Sequence, residues 1–280
     1  TQNMKVVCPV QSKVKCVFES KVIQTPSKKH KGQNYIVVAS KDIRSDASDM
    51  HKSSYHVSEK IDGTCCYVHS HNGKNCLFAR LDRKPMKSVQ KKMRDFTSKH
   101  NQWEYEGKMG DEPTFKVDFK NDVKSAPSSW IPAKLIAKDA DGNPLLDING
   151  HAPGWVPVSE DSKQYCWHHN VIEDDTLLVI RPSAMSSTAL EVANVDISTL
   201  SEATLELVGT NVNANPYGLG SKEHPFHALV QHGSIPIEMP TDNIDFDEIR
   251  NWFDKQPRGR LEGVVWHCSD GKMFKVCRYF

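Results

Sequence analysis

The sequence predicts an α+β protein built mainly of antiparallel sheet. Three observations carry this. Short apolar runs flank Asn72-Gly73 and again flank Asp270-Gly271, and both dipeptides readily adopt the positive φ angles of tight hairpin turns. Further runs at 14–18, 35–39, 176–180 and 204–209 alternate or are rich in β-formers. Against these, two stretches, 84–99 and 245–253, carry a helical period.

Composition narrows the class. At 280 residues the chain suits one large domain or two small ones and can bury a sizeable core. Its formal net charge is +1, so affinity for a nucleic acid has to come from local patches. No apolar run approaches the roughly 18 residues of a membrane span, and Thr1–Val10 lacks a signal-peptide core. The eight cysteines are irregularly spaced, two are adjacent, and no Cys-x-x-Cys occurs. That pattern predicts reduced thiols in a cytoplasmic or nuclear protein. The chain begins without a methionine, which leaves open that either end is cut from a longer protein.

Taken in order, residues 5–40 read as strands broken by a basic loop at 25–33, and 41–59 as a polar lead. Ser58-Glu59-Lys60-Ile61-Asp62-Gly63-Thr64 then places a lysine two residues before an acid and three before a glycine. A lysine made neutral is a nucleophile toward phosphorus, although a four-residue match alone is a weak signal. The strands around Asn72-Gly73 span about 64–69 and 76–81, and the second brings Arg80 and Asp82 toward the lysine. Their register leaves open which face Arg80 takes. Over 84–99, Lys84, Lys87, Lys91 and Arg94 recur at helical steps with Lys92 beside them. This basic stripe is either a solvated face or a contact for nucleic-acid phosphates.

Residues 100–170 look irregular and hold Trp103, Trp130, Trp155 and Trp167, with Lys134, Lys163 and Tyr165 nearby. Rings among cations either stack exposed bases or cover a core, and core cover is the commoner use. Cys166-Trp167-His168-His169 has no partner pair at a zinc-site spacing. Residues 211–221 form a turn-rich loop that lacks a phosphate cradle's lysine-threonine ending. Asp245 caps a helix with Glu248 three residues on, and Ile249, Trp252 and Phe253 form its apolar face.

Two further features bear on chemistry. A two-residue turn at Asp270-Gly271 would set Trp266 opposite Lys275 and Glu262 opposite Tyr279. Glu262, Val264, Trp266, Lys275 and Cys277 would then share one face. A carboxylate and an ammonium on such a face serve each other or a ligand. In Leu205-Glu206-Leu207 an acid interrupts an apolar strand, with Thr204 and Val208 on its own face. Acids in that position are seldom there for stability.

Lys60-x-Asp62-Gly63, Arg80, Leu205-Glu206-Leu207-Val208-Gly209, Glu262-Gly263-Val264-Val265 and Lys275 occur in that order. Together they resemble the ordered motifs of the covalent nucleotidyltransferases, the polynucleotide ligases and mRNA capping enzymes. Longer runs, including Lys60–Val68, Ala79–Pro85, Gly154–Val158, Gln164–His168, Asn215–Lys222 and Val265–Gly271, are similar to the animal ATP-dependent 5′-to-3′ RNA ligases. The resemblance implies one nucleotidyltransferase (adenylation) domain over 1–280, with antiparallel sheets around an ATP cleft, outer helices and a Trp-rich insertion at about 100–170. It implies an enzyme that transfers AMP from ATP to Lys60, then to an RNA 5′-phosphate, and joins that end to an RNA 3′-hydroxyl, working as a monomer in RNA repair.

A free lysine has a pKa of about 10.4, so only about one in a thousand is neutral near pH 7.4. By the resemblance, Lys275 and Arg80 are the cations that favour the neutral form and hold phosphate oxygens. Asp62, Glu206 and Glu262 are hard oxygen donors suited to Mg²⁺ or Mn²⁺. By analogy Glu206 instead binds ribose, Asp62 acts at the joining step, Glu59 meets adenine, and Gly63 lets the backbone approach closely. The basic stripe becomes a candidate RNA contact. Two departures stand out. The family's Lys-x-Lys reads Lys275-Val276-Cys277 here, leaving a second cation missing unless Arg278 supplies it. No Arg-x-Asp-Lys follows Lys275, which favours an RNA-ligase type of core. The rivals are a DNA ligase, a GTP-dependent capping guanylyltransferase and a non-catalytic RNA- or nucleotide-binding module.

Overall fold

The computed structural model describes residues 14–27, 35–50, 54–134, 138–147, 150–160, 163–186, 189–239, 244–257 and 261–278. Two sheets dominate. The larger runs β11 (Leu190–Asp196), β10 (Thr176–Pro182), β13 (His227–Gln231), β12 (Thr204–Gly209), β5 (Thr64–His71), β6 (Lys74–Arg80), β8 (Gly154–Pro157) and β7 (Ile131–Pro132), with β9 (Ile172–Glu173) on β10. The smaller runs β1 (Lys15–Cys16), β15 (Met273–Cys277), β14 (Gly263–Cys268) and β4 (Tyr55–Glu59). A separate ladder pairs β2 (Phe18–Ile23) with β3 (Ile36–Ile43). These pairings are antiparallel apart from β10 with β13 and β1 with β15. Among the described residues three α-helices accompany them: α1 (Lys87–Tyr105), α2 (Cys166–His169) and α3 (Phe246–Lys255). The α+β class read from the sequence is therefore observed.

The first hairpin forms as its turn dipeptide dictates. Asn72 and Gly73 have φ of 51° and 80°, and His71 pairs with Lys74 across them. The last hairpin differs from expectation. Gly271 does take φ 84°, but Cys268 accepts from Gly271 and donates to the carbonyl of Lys272, so three residues make the turn. Val265 consequently faces Lys275 and Trp266 faces Phe274. One extra turn residue inverts every side chain relative to the partner strand. The expected face combining Val264, Trp266 and Lys275 does not exist. Val264, Trp266, Phe274 and Val276 instead face a core together, and Lys275 shares the opposite face with Val265.

That core is completed by α3, which contributes Phe246, Ile249 and Phe253, while Trp252 packs at its edge. The helix starts where the sequence says it should, with the Asp245 carboxylate accepting from the Glu248 N–H at 2.8 Å. Replacing Asp245 with alanine orphans that donor and should cost about 1 kcal/mol in urea unfolding. A second core lies on one face of the larger sheet, where Leu205 and Leu207 meet Cys66, Val68, Leu77 and Leu229.

The α1 helix starts at Lys87, so Lys84 precedes it, and it extends to Tyr105. Within the Trp-rich stretch, β8 pairs with β6, and Trp155 is buried with Tyr67 and Phe78. Trp130 donates its indole N–H to the Leu81 carbonyl at 2.7 Å, and Trp167 stacks on His227. These rings serve packing. Cys16, Cys65, Cys66, Cys76, Cys166, Cys268 and Cys277 are thiols, with no disulfide among the described residues. No described helix is long and apolar enough to cross a membrane. Residues 5–13, most of the basic loop at 25–33, and Tyr279 lie outside the described residues.

Candidate active site

Lys60-Ile61-Asp62-Gly63 is the link between the two sheets. Strand β4 ends at Glu59 in the smaller sheet and β5 begins at Thr64 in the larger one. A cleft of about 470 Å³ opens there, lined by Lys60, Arg80, Glu206, His232, His267 and Lys275 among others. That volume is in the range of small-molecule sites.

The link is held from both sides. The Lys60 N–H donates to the Gly263 carbonyl at 2.9 Å. Ile61 is buried against Val208 and Val230. The Asp62 N–H donates to the Tyr217 hydroxyl at 2.8 Å, and the Asn213 amide donates to Asp62 Oδ1 at 2.9 Å and to the Gly63 carbonyl at 2.6 Å. A Cβ on Gly63 would meet the Leu207 carbonyl oxygen at 2.1 Å, so only glycine lets the link lie on β12.

The lysine itself pairs with Glu262, which sits just before β14. Their side chains are 23% and 33% exposed, so the pair is partly shielded from solvent, and Lys60 lines the cleft. Arg80 lines the cleft, which resolves its orientation, and Asp82 grips its guanidinium with two hydrogen bonds of 2.7 and 3.3 Å. That fork-on-fork geometry fixes the plane of the cation. Lys275 also lines the cleft. Arg278 does not supply the second cation of the family pattern: its guanidinium donates to the carbonyls of Gln256 and Pro257 just past α3.

The carboxylates expected to share a hard cation do not gather at one point. Glu262 pairs with Lys60, Asp62 with Asn213, and Glu206 Oε2 is hydrogen-bonded to His232 Nε2 at 2.8 Å. The donor cluster found among the described residues is Cys65, Glu206 and His232. Cys166 is exposed and takes no part in such a cluster. Lys84, Lys87, Lys91 and Arg94 are exposed and lie outside the cleft lining.

Several cleft residues were missed in the sequence. His267 is buried, bonds Ser58 Oγ through Nε2 at 2.8 Å and stacks on His56 with ring centroids 4.5 Å apart. Burial, reinforced by His56 and His232, lowers its pKa to about 4, so the ring is neutral at physiological pH. The available signal was strand alternation: His56 and Ser58 occupy one face of β4 while Val57 turns to the core. His232 follows β13 and is anchored by Thr204 Oγ1 at 2.9 Å.

Glu59 borders this cleft and a second hollow with Trp252 and Leu261. Burial raises its pKa from 4.5 to about 7. A carboxyl whose pKa rises on folding contributes stability below its unfolded pKa and loses it as pH climbs through the folded value. Urea midpoints should therefore fall between about pH 5 and about pH 8, and Glu59→Gln should flatten that slope. An equal slope in the variant would remove Glu59 as its source.

The RNA ligase 1 family model matches residues 4–280. The chain is 44% identical to RNA ligase 1 of Pongo abelii over 280 residues, covering 99% of this chain and 82% of that protein. It is 42% identical to RNA ligase 1 of Danio rerio over 274 residues, covering 96% and 80%. RNA ligase 1 of Mus musculus is likewise 42% identical, over 99% of this chain and 82% of its own length. With the family match spanning nearly the whole sequence, the chain belongs to the RNA ligase 1 family.

Proposed function

We propose that this chain is an ATP-dependent RNA ligase that joins 5′-phosphate and 3′-hydroxyl ends through AMP carried on Lys60. In this reading the whole chain is one adenylation domain of the nucleotidyltransferase type, and the link between its sheets carries the nucleophile. The observation that supports it most is the placement of Lys60 between Glu262 on one side and a cleft lined by Arg80 and Lys275 on the other.

In the first step Lys60 Nζ attacks the α-phosphorus of ATP, a P–N bond forms, and pyrophosphate leaves. Glu262, already hydrogen-bonded to Nζ, is the base within reach of the proton released. Arg80 and Lys275 hold phosphate oxygens as charge develops, with Asp82 keeping the guanidinium oriented. Glu206, hydrogen-bonded to His232, binds the ribose in this reading. A divalent cation of the Mg²⁺ or Mn²⁺ type would screen the triphosphate charge when bound. Glu206 or Glu262 would hold it as a single carboxylate, which suits an ion that keeps much of its water. In the second step AMP passes to an RNA 5′-phosphate and Lys60 is regenerated. In the third the RNA 3′-hydroxyl attacks that activated phosphate and AMP leaves. Asp62, held at its backbone by Tyr217 and at its carboxylate by Asn213, serves the joining step in this reading.

The exposed stripe Lys87, Lys91 and Arg94, with Lys84 just before it, is the phosphate-binding face for RNA. Reversing the charge of Lys87, Lys91 and Arg94 together should make the slope of log affinity against log salt shallower by about 2. An unchanged slope takes the stripe out of the RNA interface.

The joining assay tests the function as a whole. ATP with Mg²⁺ or Mn²⁺ should yield joined product from 5′-phosphorylated RNA, and neither GTP nor a 5′-hydroxyl end should do so. Nicked duplex DNA sealed as well as RNA would overturn the RNA preference. Labelling by GTP in place of ATP would point to a guanylyltransferase.

A further inference from the structure

The cleft wall contains a donor set in which the ligation chemistry uses Glu206 and His232 but has no use for Cys65. Cys65 on β5 and Glu206 on β12 are register partners, directly opposite across the ladder. His232, just past β13, returns to the same spot because its N–H donates to the Thr204 carbonyl. The thiol, carboxylate and imidazole donor atoms all lie within 4.8 Å of one another. A hydrogen bond joins His232 to Glu206, and the thiol makes a long contact with the Cys66 carbonyl at 3.9 Å. Sulfur and imidazole donors suit a borderline cation of the zinc class and are poor ligands for Mg²⁺.

We propose that Cys65, Glu206 and His232 form a three-ligand site for a zinc-class divalent cation, with a fourth position open to the cleft.

Independent features of the structure favour that use. The ring of His232 is fixed by Thr204 Oγ1 on Nδ1 at 2.9 Å, which turns Nε2 toward Glu206 at 2.8 Å. An outer partner on the far nitrogen is what orients a ligating histidine. The thiol also meets the Arg80 guanidinium at the cleft wall. Charge balances locally: thiolate and carboxylate together neutralise a divalent ion, and Arg80 is already matched by Asp82. On binding, the metal–sulfur bond replaces the S–H bond, and the thiol proton goes to solvent together with any proton shared by His232 and Glu206.

One consequence rests on the proposed reaction. A cation held here takes Glu206 away from the nucleotide, so zinc-class ions should inhibit adenylylation that Mg²⁺ supports. The binding itself does not depend on that reaction.

The test titrates the nucleotide-free full chain with Co²⁺, a spectroscopic substitute for zinc. The expected result is one equivalent bound with a thiolate-to-cobalt charge-transfer band, bleached by Zn²⁺ and untouched by Mg²⁺. Cys65→Ser should abolish the band, and His232→Ala should weaken binding by about 100-fold. Cys166→Ser, which removes the exposed thiol beside Trp167-His168-His169, should leave the band intact. No thiolate band in the unaltered protein, or a band that survives Cys65→Ser, overturns the proposal. Without nucleotide present, failure of the joining assay cannot mimic failure of this one, and absence of the cobalt band leaves the joining assay untouched.

Discussion

Lys60→Ala should eliminate the covalent protein–AMP adduct and lower joining of 5′-phosphate RNA by at least about 10³-fold, the scale of loss when a covalent nucleophile is deleted. The fold should survive. The lysine's ion pair with Glu262 is partly exposed, and pairs of that kind contribute about 0–1 kcal/mol. Its neighbour Ile61 and the hydrogen bonds to Asp62 and Gly63 keep the link in place without the side chain. The defect should also be bypassed. An RNA whose 5′ end already carries AMP needs only the last step, which uses no lysine nucleophile, so Lys60→Ala should still join it. A variant that forms adduct normally, or one that fails equally on the preactivated end, contradicts the assignment.

Gly63→Ala should be the most damaging single methyl in the site. Its Cβ would sit 2.1 Å from the Leu207 carbonyl oxygen and 2.9 Å from Glu206 Cγ. Strand β12 is central to the larger sheet, paired with β5 and β13, so it has little freedom to retreat. Overpacking of this kind costs about 3 kcal/mol, and the displacement would push Glu206 and the link apart. The cost is steric and not a matter of backbone angle. Gly73 makes the contrast: its φ of 80° favours glycine, but nothing lies within 4 Å of an added Cβ. Gly73→Ala should therefore cost about 1 kcal/mol. Urea unfolding of the two variants separates the effects. Equal losses would show that Gly63 is not held by close approach.

Features governed by local chemistry were legible in the sequence. Asn72-Gly73 predicts its hairpin because both residues accept positive φ. Asp245 and Glu248 mark the start of α3 because the cap is a contact three residues away. Glu206 stands out because Leu205 and Leu207 alternate with it along one strand. The faces of the last hairpin were misread because a single added turn residue decides them, and Asp270-Gly271 suits turns of either length. Long-range partners left almost no trace. Lys60 and Glu262 are 202 positions apart, and the sequence put Glu262 on one face with Lys275, to serve it or a ligand. Asn213 and Tyr217 sit in a loop whose turn residues show that the chain bends but not what it clasps. His56 and Ser58 alternate before Lys60, yet their meeting with the cleft residue His267 depends on β14 lying beside β4.

The account turns on one atom, Lys60 Nζ, forming a bond to phosphorus. Mass spectrometry of the intact protein after incubation with ATP and Mg²⁺ or Mn²⁺, followed by peptide mapping, tests this most directly. The predicted result is the addition of one AMP, carried by the peptide that contains Lys60 and discharged by 5′-phosphate RNA. No added mass, or AMP found on a residue other than Lys60, would contradict it.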